Sequence, residues 1–170
     1  FGWLLHDHPK LHIELQVGLD WLNPRLGGDK TLASYGVKID ETSRYYQVHA
    51  AARTAVPAEH LAFLNALPLQ YETDDYIFVH AGIRPDVALA AQTERDLLWI
   101  REPFLSHSAP REKMIIHGHT ALEAPQLYSN RLNLDGGAGY GRPLTPVVID
   151  NKQVFCLGAH GRVLLEQSAL

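Results

Sequence analysis

A chain of 170 residues, 46% hydrophobic and 20% charged, has enough apolar material for a packed core and is too apolar for a disordered segment. Its formal net charge of −4 gives no basic footprint for a nucleic acid polymer or an anionic membrane. One cysteine, Cys156, excludes an internal disulfide framework and fits a reducing, cytoplasmic compartment.

The opening FGWLLHDHPK does not read as a signal peptide, and no apolar run approaches the roughly 20 residues of a membrane span. Leu11, Leu15, Leu19 and Leu22 fall at helical spacing, and Asn23-Pro24 ends that helix. Gly27-Gly28-Asp29 makes a turn, from which Asp29 is expected to cap a short helix through TLASYG. Residues 43–54 read as a weakly patterned helix, and Pro57 opens a clearer one, PAEHLAFLNAL.

The character then changes. LQYE and YIFVH flank Thr73-Asp74-Asp75, a β-hairpin. TERDLLWIREPFL predicts a short helix capped by Thr93, and KMIIH a buried strand. RLNLD alternates and runs into the glycine-rich GGAGYG. TPVVID and KQVFCLG make a last hairpin across Asp150-Asn151. Helices first, then about six strands with few helices between them, predict an α/β (α+β) layered sandwich with mixed β-sheets flanked by helices.

Two of the strands end alike. YIFV runs into His80-Ala81-Gly82, and MII runs into His117-Gly118-His119. A strand buried in a sheet delivers its last residue to the sheet edge, where crevices form, and glycine there admits backbone or ligand closely. Neighbouring strand ends would bring His80 and His119 to one point, and neutral imidazole is a common metal ligand. The plainer reading is a pair of hydrogen-bonded structural histidines. Arg101, in LLWIREP, suits a phosphate through its two-pronged guanidinium, or a surface ion pair with Glu94 or Glu102. Asp135 follows the strand RLNL and reads either as a partner that orients a histidine or as a turn residue. Trp99 reads as core. His6, His8 and His12 read as solvated, and the serines around His107 lack the strand–turn–helix elbow of a nucleophile.

Taken together, GGDKTLASYG, VPAEHLAFL, YIFVHAGIRP, DLLWIREPFL, HGHT and NRLNLDGGA resemble the bacterial phosphoprotein phosphatases of the calcineurin-like metallophosphoesterases. That group is similar to the bacterial serine/threonine protein phosphatases and the symmetrical diadenosine tetraphosphatases. The likeness runs from about Gly27 to about Asp150. It implies a hydrolase in which water activated by two metal ions attacks phosphorus in line. It further implies that His80 and His119 are metal ligands and that Arg101 contacts the substrate phosphate. The implied cofactors are divalent ions, manganese first, with iron or zinc as alternatives. The implied substrate is phosphoserine or phosphothreonine on a protein, or a dinucleoside polyphosphate. His117 maps to no ligand.

The likeness departs at the front. The family's G-D-x-H-G, G-D-x-x-D-R-G and G-N-H-E motifs supply the first-metal ligands, the bridging aspartate and the catalytic acid histidine. None occurs in this sequence, which opens on Phe1. Residues 1–170 are therefore expected to form a single, incomplete domain, the carboxy-terminal part of that fold. A full two-metal site, a catalytic residue and more than slight phosphatase activity are not expected of this chain alone. The competing expectation is a non-catalytic remnant or a module that binds a phosphorylated ligand.

Overall fold

The computed structural model describes residues 21–24 and 26–168. They fall into two compact units, one reaching Leu67 and the other beginning at Pro68. The helix expected from residue 11 lies outside the described residues except for Trp21 and Leu22, which sit in a turn running to Pro24. His6, His8 and His12 also lie outside them.

The first unit contains α1 (Gly28–Ser34), α2 (Tyr45–Ala55) and α3 (Ala58–Ala66). Asp29 is not the cap of α1. Gly27, at φ 72, adopts the left-handed backbone at the cap position, so the helix begins two residues earlier and Asp29 falls inside its first turn. A carboxylate there still favours the positive end of the helix. Val48 and Ala52, four residues apart on α2, share one face and pack with Leu32, Val37 and Val56 as the core of this unit. Pro57 flanks α3 at φ −57, preset for a helix start, and Leu61 is partly buried against the same core.

The second unit opens with the expected hairpin, β1 (Gln70–Glu72) and β2 (Tyr76–Val79). The Tyr76 amide donates to Thr73 Oγ1 at 3.1 Å and closes the turn. In α4 (Glu94–Trp99), the Asp96 amide donates to Thr93 Oγ1 at 3.2 Å, the cap read from the sequence. The helix stops at Trp99 because Ile100 turns extended, and Pro103 soon follows.

Strands β3 (Met114–His117), β4 (Gln126–Leu127) and β5 (Arg131–Asn133) complete a five-stranded mixed sheet in the order β1-β2-β3-β5-β4. Strands β2, β3 and β5 are mutually parallel, with Ile77 beside Ile115 and Ile115 beside Arg131. Their carboxyl ends therefore share one sheet edge, the place where open α/β sheets form crevices. A separate antiparallel sheet contains β6 (Val147–Asp150), β7 (Gln153–Gly158) and β8 (Gly161–Leu164). Asn151 and Lys152 join β6 to β7 with φ of 49 and 65, the two positive angles of a tight hairpin turn.

The two faces of the five-stranded sheet bury different partners. Ile116 and Leu132 pack with Val154 of β7, and with Val147 and Ile149 of β6. Ile77 and Ile115 pack with Leu97, Ile100 and Phe104 from α4 and the segment after it. The described residues are thus α+β, with a mixed sheet and a separate antiparallel one. Eight strands are present among them. The expected six omitted β4, only two residues long, and β8, whose residues are all exposed and carry no alternating pattern. Among the described residues no helix is long and apolar enough to cross a membrane.

Candidate functional site

The shared carboxyl edge of β2, β3 and β5 gathers the histidines. His80 is the first residue beyond β2. Gly82 follows because a side chain there would meet the Phe104 ring at 2.3 Å. His117 is the last residue of β3, paired with Asn133 of β5, and Gly118 and His119 carry the chain off the sheet. The Gly118 amide donates to the His80 carbonyl at 2.9 Å, which ties the two strand ends together.

His119 has φ 65, rare for a residue other than glycine, and the Thr120 amide donates to the Gly118 carbonyl at 2.7 Å. A bond from residue i to i+2 around a positive φ is the strained form of the γ-turn. The turn brings His119 Nδ1 to 3.2 Å from His80 Nε2, with ring centroids 5.0 Å apart and planes at 62°. Trp99, at the end of α4, sets its indole against His119 at 5.7 Å, edge to face.

Both imidazoles bind a proton less readily than a free histidine. Burial lowers His80 below the ordinary histidine value of 6.5, against the nearby Asp135 charge, which raises it. His119 is lowered to about 4, by burial first, then by the charge of Arg101 and then by His80, with Asp135 again opposing. The electrostatics thus place Arg101 and Asp135 around the pair. Arg101 is exposed just beyond α4. Asp135 does take the turn role, accepting from the Gly137 amide through Oδ1 at 2.9 Å.

Two neutral imidazole nitrogens 3.2 Å apart fit a shared cation. Bound to one tetrahedral zinc at roughly 2.0–2.1 Å each, such nitrogens lie about 3.3 Å apart. Among the described residues no group of three or more His, Cys, Asp or Glu side chains is placed to hold a metal ion. His119 Nε2 and Thr120 Oγ1 are buried without a hydrogen-bond partner beside the pair. An open cleft of about 530 Å³ lies elsewhere, near Asp86, His107, Arg111 and Lys113, by the opposite ends of β2 and β3.

No family model matches this chain, and no curated protein does.

Sequence reading passed over a buried polar cluster beneath the site. His117 is 3% exposed, Arg131 4% and Asn133 1%. An alternating strand such as RLNLD ordinarily shows its polar residues to water; here that face lies under Phe104 and Leu105. The Phe104 ring meets His117 edge-on at 4.9 Å, and Arg131 donates from Nη2 to the Leu105 carbonyl at 3.1 Å. The Arg131 guanidinium lies 3.7 Å from the centre of the Tyr128 ring, a cation–π contact. His117 is pushed down to about 4, chiefly by burial, with Arg131 adding to the effect and the Gly118 carbonyl opposing it. The signal in the sequence was weak: Arg and Asn at alternate positions, two residues before Asp135.

Proposed function

We propose that this chain carries the imidazole ligands and the phosphate-gripping arginine of a metal-dependent phosphoesterase, related in fold to the calcineurin-like metallophosphoesterases. The observation that carries this reading is the 3.2 Å approach of His80 Nε2 to His119 Nδ1 across two parallel strand ends. The depressed proton affinities support it, because a neutral imidazole keeps a lone pair for a cation at neutral pH. In this reading His80 and His119 hold a divalent ion, manganese first and iron or zinc as alternatives. Arg101 receives the phosphoryl oxygens with its guanidinium fork. Asp135, at the same edge, biases the pair electrostatically. When bound, the metal supplies Lewis-acid stabilisation of the phosphoryl group and an activated water. The substrate class is a phosphoserine or phosphothreonine protein, or a dinucleoside polyphosphate.

A second reading rests on the donor set. Two imidazoles without carboxylates hold a hard cation weakly, and no third such ligand stands by them among the described residues. The chain would then bind a phosphorylated ligand through Arg101 without turnover. Calorimetry with manganese, binding of tripolyphosphate and hydrolysis of p-nitrophenyl phosphate separate the two. Manganese binding lost in His119→Ala supports the phosphoesterase reading, and hydrolysis abolished by the same change would show that the chain is more active than expected. Anion binding that needs Arg101, with no metal binding, supports the binding module. Neither metal nor anion binding overturns both.

A further inference from the structure

We infer that His117, Arg131 and Asn133 are positioning residues that hold His119 against His80 by clamping both ends of its strained γ-turn. Such a turn does not persist unaided, since strained backbone survives only where its surroundings over-determine it. Both ends are gripped from buried positions. At the first end, the Gly118 carbonyl lies 3.1 Å from His117 Nδ1. A carbonyl only accepts, so Nδ1 carries the proton and donates. The other ring nitrogen, Nε2, faces Arg131 Nη1 at 3.5 Å; a guanidinium only donates, so Nε2 is the acceptor. Arg131 therefore selects the tautomer with which His117 holds Gly118. At the second end, Asn133 Nδ2 donates to the Thr120 carbonyl at 2.9 Å. The Asn133 side-chain oxygen, Oδ1, in turn accepts from the Asp135 amide at 2.9 Å.

The spacing follows from the strand. Residues 131 and 133 share one face of β5, and the parallel register sets Asn133 beside His117. One short strand thus reaches both ends of the turn, directly through Asn133 and through His117 for Arg131. A purely structural cluster would stabilise the fold without controlling where the His119 ring points. A clamp controls both.

The test reads the ring itself. In metal-free protein, long-range proton–nitrogen correlation of the imidazoles reports the His117 tautomer and the His80–His119 contact. His117→Asn keeps an N–H where Nδ1 stood, and is expected to keep the wild-type His119 signals and cobalt affinity within about threefold. His117→Phe removes that donor, and Asn133→Asp puts an acceptor against the Thr120 carbonyl. Each is expected to shift the His119 nitrogens and to weaken cobalt binding by at least about tenfold, the range for groups that orient a metal ligand. Wild-type His119 signals and cobalt affinity in both of these variants would overturn the inference. Asn133→Asp alone decides if His117→Phe does not fold. The cobalt arm rests on the metal reading above, while the imidazole signals do not. Wild-type protein that ignores cobalt removes the metal reading, and the same variants still confirm or refute the clamp by their His119 signals.

Discussion

The ends of β2 and β3 look alike in sequence, yet they place their histidines in opposite environments. His80 comes one residue after pairing stops and stands exposed at the sheet edge. His117 is still paired with Asn133 and is sealed beneath Phe104. The next histidine on that chain, His119, reaches the edge only through a strained turn. A difference of one residue relative to the last ladder bond separates a candidate ligand from part of its support. Histidine followed by glycine marks a strand end, but it does not say which side of that end is reached.

Mutation can sharpen this contrast, and the largest effect belongs to the shared core. Ile115→Ala, at a fully buried position of β3, is expected to cost about 3–4 kcal/mol in urea denaturation. His117→Ala should cost roughly 2–3 kcal/mol, because it leaves a cavity and strips a buried partner from Arg131. His80→Ala should stay within about 0.5 kcal/mol, as an exposed residue. Equal losses in the two histidine variants would erase the distinction drawn between the strand ends. Thr93→Ala, which removes the cap of α4, should cost about 1 kcal/mol.

The pH dependence gives a subtler check. His117 and His119 bind protons less readily when folded, near 4, than in the unfolded chain, near 6.5. Between those values the unfolded state binds more protons, so stability rises with pH across the window. Their contribution is complete above about 6.5 and is lost as pH falls through about 4. Unfolding free energies measured from pH 4 to 7 should show this slope, and His117→Asn should flatten it. Arg101→Ala, like His80→Ala, should barely change stability. It should leave the unfolding free energy within about 0.5 kcal/mol of wild type while weakening tripolyphosphate binding.

Much of this edge was legible beforehand. The hairpin at Thr73–Asp75, the Thr93 cap and the two strand–histidine endings follow from local chemistry that neighbouring residues determine. The convergence of His80 and His119 was also readable, because short apolar strands ending on histidine must finish at a sheet edge. The Arg131–His117–Asn133 cluster was not. Its burial depends on Phe104 and Leu105, more than 25 positions earlier than Arg131, folding over a face that alternation alone would assign to solvent. Nor could the position of Asp29 be read, since either Gly27 or Asp29 can begin a helix and the left-handed angle at Gly27 decided it. The role of Asp135 divided as its surroundings require: one carboxylate oxygen closes a turn, and the charge still reaches both imidazoles.

The edge-to-face meeting of Trp99 with His119 makes the protein its own optical gauge. An excited indole that close to an imidazole dims when the ring takes a proton, and it dims further beside a paramagnetic ion such as cobalt. With Trp3 and Trp21 replaced by phenylalanine, the remaining emission would follow events at this edge in real time, without any added dye.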